Sequence, residues 1–224
     1  MIKELIKAHH KIEEMGLVVQ NFGNISCRVD DDFIIIKPSG IEASRLSNKN
    51  IVKVNLKNNK SIGKFKPSSD TATHSAIYKY FPEVNSIIHT HSLYATSWAQ
   101  SKRPIPCLGT THADFWKNEI PLIPLLKKNK ILDNYELNTG ISIIEFFKKN
   151  KLSYLDYPGV LLASHGPFVW GKNLKEALSL AEAIEFIAKL AFNTFKLGNN
   201  KKIPRHLSDK HFNRKHGSKK YYGQ

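Results

Sequence analysis

Cysteine is scarce in this chain: Cys27 and Cys107 are the two in 224 residues. They stand far apart and form no C-x-x-C pair, which argues against a disulfide framework and a thiolate zinc site. A reducing cytoplasm is the simplest compartment. Long apolar runs are missing too. The longest, such as GVLLA and SIIH, fall well short of the roughly 20 residues a spanning helix needs, so no membrane partner is expected. The opening segment MIKELIKAHHKIEEMG spreads its charges and lacks a small-residue cleavage site, so it does not read as a secretory signal. Acidic residues are the last shortage: 19 Asp and Glu face 34 Lys and Arg, for a net charge of +15. More than half of that excess lies from Lys196 onward, where nine Lys and Arg stand against one Asp. No basic helix or aromatic-interleaved stripe is present, so nucleic acid is not expected as a partner. Small phosphorylated metabolites remain a fitting class of anion.

What is present is an ordinary apolar share, 41%, enough for one full-sized core. Leu5, Ile6, Ile12 and Met15 fall on one helical face, closed by Gly16. GLVVQNFGNISCRVD and DDFIIIKPSG read as a hairpin turning at Asp30 to Asp32, and NIVKVNL as a further strand. Pro67-Ser68-Ser69-Asp70 opens a helix that Pro82 stops. VNSIIHTH reads as a strand, SLYATSWAQS as a short helix, and IPLIP as an extended piece. NTGISIIEFFKKN reads as a helix, and GVLLASHGPFVWG as two strands meeting at a His-Gly corner. The longest helix runs through NLKEALSLAEAIEFIAKLAFNTFKLG, with Gly198 past its end. The remaining residues read as irregular and basic. No repeat or linker divides the chain, so the expectation is one α/β domain over 1–224, a mainly antiparallel sheet flanked by helices.

Residues i and i+2 of a strand face the same way, about 6.5–7 Å apart at the backbone. His89 and His91 can therefore reach one metal ion, with Thr90 facing away. His165, at the end of a strand and followed by Gly166-Pro167, is a third candidate. Three histidines on zinc leave one position open, the catalytic pattern. Asp70 is a fourth candidate ligand and is equally placed to cap its helix.

The pieces GNIS, IKPSG, KPSSDTATH, IIHTHS, GTTHADFW, GVLLASHGPFVWGK and DKHFNRKHGSKKYYGQ, in this order, resemble the class II aldolase/adducin family. Within it, GTTHAD and the YYGQ terminus resemble the branch that inverts C4 of a ketopentose 5-phosphate. The resemblance implies an α/β sandwich and a homotetramer with active sites between subunits. It implies one zinc per subunit on His89, His91 and His165, with Asp70 at or near it. The implied activity interconverts L-ribulose 5-phosphate and D-xylulose 5-phosphate. C4 carries no acidic proton, so the C3–C4 bond must break and re-form. Zinc would act as a Lewis acid on the ketose half while glycolaldehyde phosphate turns over.

Two acid/base groups on opposite sides of that aldehyde are then needed. By resemblance they are Asp114 and Tyr222, with His211 as a helper; Tyr222 and His211 come from the basic tail 199–224. Ser39-Gly40 and Ser68-Ser69 are the implied phosphate cradle, completed by Gly23, Asn24 and Lys37. QNFGN stands where the family pattern has Thr-Trp before Gly-Asn. The stretch 127–135 has little family character, and no site residue is expected in it. Cys27 reads as buried packing. The alternatives are a sister aldolase that releases its fragments, a thio-ribulose phosphate dehydratase, and a non-catalytic adducin-like binding module.

Overall fold

The structure, a computed structural model, describes residues 1–218, 220 and 221. Eight strands form one sheet: β1 (Asn24–Arg28), β2 (Phe33–Ile36), β3 (Val52–Asn55), β4 (Ser61–Ile62), β5 (Ser86–His89), β6 (Leu122–Ile123), β7 (Gly159–Leu162) and β8 (Pro167–Gly171). Their order is β4-β3-β2-β1-β5-β8-β7-β6, and every pair is antiparallel except β6 with β7. The helices among the described residues are α1 (Ile2–Glu14), α2 (Thr71–Tyr80), α3 (Leu93–Gln100), α4 (Thr110–Ala113), α5 (Lys128–Lys149), α6 (Leu174–Lys196) and α7 (Arg205–His216). The expected α/β architecture with a mainly antiparallel sheet is what the chain forms. No helix among the described residues is long and apolar enough to cross a membrane.

The central strands are buried along both faces, so they read as continuous apolar runs rather than alternating ones. Helix α6 packs across β5 and β8, with α1 and α3 against it. On the other face, Trp170 of β8 meets Phe81 and Phe147 beneath α2 and α5. One core runs from Leu5 of α1 to Ala191 of α6. Cys27 is buried in it, as expected.

Register explains the placement of the site. Asn24 pairs with His89 across β1 and β5, and His89 with Phe168 across β5 and β8. With a side-chain period of two, Asn24, Ser26, His89 and Phe168 share the face that looks toward α2. Ser26 Oγ there bonds His74 Nδ1 at 2.7 Å and Tyr78 Oη at 2.8 Å, both from α2.

Two readings are corrected. The tail is not irregular throughout: α7 forms within it. Its register of apolar residues is poor, but Phe212 is buried and its basic C-terminal turn meets an acidic partner, described below. Helix α5 begins ten residues before Asn138, in the stretch with little family character, and breaks its helical backbone at Asn134 (φ −140°, ψ 79°). Gly140 is why α5 lies so close to α2. A Cβ there would sit 2.7 Å from the Ala76 Cβ and 3.0 Å from the Thr73 carbonyl oxygen. Thr73 Oγ1 completes the junction by donating to the Glu136 carbonyl at 2.6 Å.

Candidate metal centre

The pair at the end of β5 converges. His89 Nε2 and His91 Nε2 lie 3.0 Å apart, while Thr90 is turned away and buried. His165 arrives from the β7–β8 turn, after Ser164 in the left-handed region at φ +62°. The three imidazoles offer ligand atoms all within 4.8 Å of one another. Two nitrogens on one tetrahedral zinc at about 2.0–2.1 Å stand about 3.4 Å apart, so the cluster fits such an ion.

Supporting contacts present the right nitrogens. His89 Nδ1 donates to the Pro167 carbonyl at 2.9 Å, which leaves the Nε2 lone pair for a cation. The His89 ring also stacks on Phe168, with centroids 4.1 Å apart. His91 stacks against Phe22 at 5.8 Å. Burial holds His89 well below the usual imidazole pKa, and the neighbouring His165 and His91 push the same way. Burial lowers His91 and His165 as well, against an opposing pull from Asp70 on both. Neutral imidazoles are the form that binds metal.

One cavity of about 370 Å³ joins this cluster to the loops expected for phosphate. Gly23, Asn24, Lys37, Ser39, Gly40, Ser68, Ser69 and Asp70 all line it, beside the three histidines. Chain segments 37–39 and 66–68 are pinned together: Ser39 N–H donates to the Lys66 carbonyl and Ser68 N–H to the Lys37 carbonyl. Both main-chain N–H groups are thereby used, leaving the serine hydroxyls as donors. Gly23 closes the third side (φ +77°), where a Cβ would meet the His89 carbonyl oxygen at 2.7 Å.

Lys37 is 5% exposed and donates to the Asn21 carbonyl at 2.8 Å. Burial lowers its pKa, and the Asp70 carboxylate partly restores it. An ammonium stripped of water in this way favours a nearby anion. Asp70 precedes α2 but makes no side-chain cap. Its Oδ2 instead accepts from Asn24 Nδ2 at 2.6 Å, which turns the carboxylate toward the cavity.

Two of the acid/base candidates, Asp114 and His211, lie outside this lining. Asp114 ends α4 and faces the last turns of α7. Arg214 donates to both carboxylate oxygens, at 3.1 and 2.8 Å. His211 Nδ1 stands 3.2 Å from Oδ1 and Lys215 Nζ 3.8 Å from Oδ2. His216 Nε2 donates to the Asp114 carbonyl at 2.9 Å. Burial alone would raise the Asp114 pKa, but the bonds from Arg214 and His211 and the Lys215 charge outweigh it, so the carboxyl is held low. The structure brings Asp114 and His211 together, but α4 and α7 contribute no lining residue to the histidine cavity. Tyr222 lies outside the described residues.

The sequence reading missed Tyr135 and Glu136, which also line the cavity. Tyr135 Oη is 3.2 Å from His165 Nδ1. Burial raises the Tyr135 pKa, and the Thr139 side chain offsets part of that rise. Nothing in the lysine- and asparagine-rich stretch before Tyr135 pointed to this, because the break at Asn134 is what aims it.

A family model described as "Class II Aldolase and Adducin N-terminal domain" matches residues 3–192. A Mycoplasma pneumoniae protein described as "Probable L-ribulose-5-phosphate 4-epimerase UlaF" is 40% identical over 226 residues, covering 99% of this chain and 93% of the relative. The "L-ribulose-5-phosphate 4-epimerase UlaF" of Salmonella typhi is 38% identical over 226 residues, covering 99% and 97%. Among solved structures, an L-fuculose 1-phosphate aldolase superposes with a TM-score of 0.77 at 24% identity, covering 93% of this chain and 94% of that one. A sugar-phosphate aldolase from Thermotoga maritima gives a TM-score of 0.68 at 21% identity, covering 89% and 97%. At these identities the two aldolases speak for the fold alone.

Proposed function

The chain belongs to the class II aldolase and adducin family, and from that premise we propose that it is a zinc-dependent epimerase interconverting L-ribulose 5-phosphate and D-xylulose 5-phosphate. One observation carries the reading: a metal-type histidine cluster and anion-suited loops share a cavity sized for a five-carbon sugar phosphate. The near full-length identity to proteins named as this epimerase selects it over a sister aldolase.

In this reading His89, His91 and His165 hold zinc, with Asp70 beside it. Bound zinc supplies a Lewis acid for the negative charge that develops on the ketose half as the C3–C4 bond breaks. Lys37 and the hydroxyls of Ser39, Ser68 and Ser69 bind the phosphate, with Gly23, Asn24 and Gly40 shaping the approach. The phosphate anchors the aldehyde half while its reacting end turns over. Asp114 and Tyr222 flank that aldehyde from opposite sides, assisted by His211. One takes the C4 hydroxyl proton as the bond breaks; the other returns a proton to the C4 oxygen after re-addition.

Neither Asp114 nor α7 lines the cavity of its own chain, which supports completion of each site by a second copy, in a homotetramer. The whole chain then acts as one domain whose tail serves a neighbour's site. Its partners are a sugar phosphate and itself, without nucleic acid or membrane, in the cytoplasm. The test is a coupled assay for D-xylulose 5-phosphate formed from L-ribulose 5-phosphate, before and after chelation and with zinc restored. Chelator-sensitive turnover recovered by zinc is the expected result. Release of glycolaldehyde phosphate without xylulose 5-phosphate would replace the epimerase with an aldolase.

A further inference from the structure

The three histidines do not share one kind of support. His89 has its ring oriented by a main-chain carbonyl, that of Pro167. His165 has a side chain in that role, Tyr135, whose Oη lies 3.2 Å from Nδ1. The direction of the proton in this contact decides what His165 can do. If the phenol donated to Nδ1, the neutral ring would carry its hydrogen on Nε2 and could not offer that nitrogen to a metal. If Nδ1–H donates to the phenol oxygen, Nε2 keeps a lone pair. The phenol then needs an acceptor for its own proton.

Thr139 stands one helical turn beyond Tyr135, where residues i and i+4 are neighbours, and its side chain acts on the phenol, lowering its pKa. Thr139 is 3% exposed, and its Oγ1 makes no hydrogen bond among the described residues. A buried hydroxyl oxygen without a donor costs stability, and a proton from Tyr135 meets that need. The backbone holds the pair in place. The break at Asn134 sets the direction of Tyr135, while Gly140 and the Thr73-to-Glu136 bond lock this end of α5 onto α2.

We propose that Tyr135 is a positioning residue of the metal centre: its hydroxyl accepts the Nδ1–H of His165 and passes its own hydrogen bond to Thr139, so that His165 presents Nε2 to the ion. The inference rests on the three histidines binding a metal, and goes beyond that reading by giving the third ligand a specific orienting partner.

The test measures zinc affinity by competition with a chromogenic chelator on the full chain, for wild type, Tyr135→Phe and Thr139→Val. Replacing such a partner of a ligating histidine typically lowers metal affinity about 10–100-fold. Tyr135→Phe is expected in that range, and Thr139→Val in the same direction but smaller. The cobalt-substituted forms supply a second readout, because a reoriented imidazole alters the visible absorption bands. Thermal midpoints of the metal-free proteins separate orientation from folding, and Thr139→Val leaves the tyrosine ring packed if Tyr135→Phe folds poorly. Wild-type affinity and spectrum in both variants would overturn the proposal while the metal site stands. A wild type that takes up no zinc would instead sink the metal reading and the proposal with it.

Discussion

Acid should unfold the metal-free protein well before its carboxylates titrate. His9, His74 and His112 are 3%, 0% and 4% exposed. Burial depresses the first two from 6.5 to about 3 and the third to about 4. Lys37 adds to the effect at His9. In the folded state all three stay neutral as pH falls through 6.5, whereas in the unfolded chain each takes a proton. The unfolded state therefore binds more protons, and stability present above pH 7 is lost toward acid. The limiting slope for three protons is about 4 kcal/mol per pH unit. Integrated from pH 8 to pH 5, each histidine costs about 2 kcal/mol and the three together about 6 kcal/mol. That is comparable with the whole stability of many domains, about 5–15 kcal/mol. His89 adds to the loss when no metal occupies its lone pair. Asp114, whose pKa is lowered, loses its share in the same direction but at lower pH, from the ordinary carboxylate range down to its lowered pKa. The assay is urea denaturation of chelated protein between pH 8 and pH 5, at fixed protein concentration and ionic strength. A slope below that of a single proton, about 1.4 kcal/mol per pH unit between pH 6 and pH 5, would refute the reasoning.

Other perturbations separate the parts of the cavity. Lys37→Met removes a buried charge-assisted donor, so KM for the sugar phosphate should rise roughly 10–100-fold while zinc content is unchanged; an unaltered KM would remove Lys37 from phosphate binding. Asp114→Asn keeps the shape of the contact with Arg214 but not its charge. Turnover should fall roughly 10²–10⁴-fold with zinc retained, as for loss of an acid/base group, and full activity would exclude that role. Gly140→Val forces α5 off α2 and should destabilise the fold by about 1–3 kcal/mol, read from the urea midpoint. Its zinc affinity should drop too, because Tyr135 moves with the helix; intact affinity would mean that the junction does not set the position of Tyr135.

The parts of the site that lay on regular structure were legible in the sequence. His89 and His91 declare themselves through the period of a strand, and His165 through the corner that two apolar runs make with Gly166. The loops proposed to bind phosphate were legible as turn chemistry, and their convergence follows from the pairing of residues 37–39 with 66–68. Asp70 was only half readable. Its position before α2 suggested a cap, but Asn24, brought alongside by the pairing of β1 with β5, captures the carboxylate instead. Tyr135 was invisible because a backbone break, not a residue pattern, aims it. Helix α7 was missed because its support is tertiary: with little apolar periodicity of its own, it is held by Phe212 and by the ties of its last turns to Asp114.

The absence of Asp114 from the lining of its own chain's histidine cavity has a genetic corollary under the proposed assembly. A chain carrying His89→Ala lacks a working cluster but still carries an intact Asp114 and tail; a chain carrying Asp114→Asn has the reverse defect. Each is inactive alone. Co-expressed, they form mixed oligomers in which some cavities unite an unmutated cluster with an unmutated carboxylate, so two null alleles complement each other. Alleles with both lesions in one chain supply neither half and cannot be rescued by either single mutant at the same sites. Dominance in this protein is then a property of where in the chain a lesion falls, and a map of complementing and non-complementing pairs would trace the boundary between the two halves.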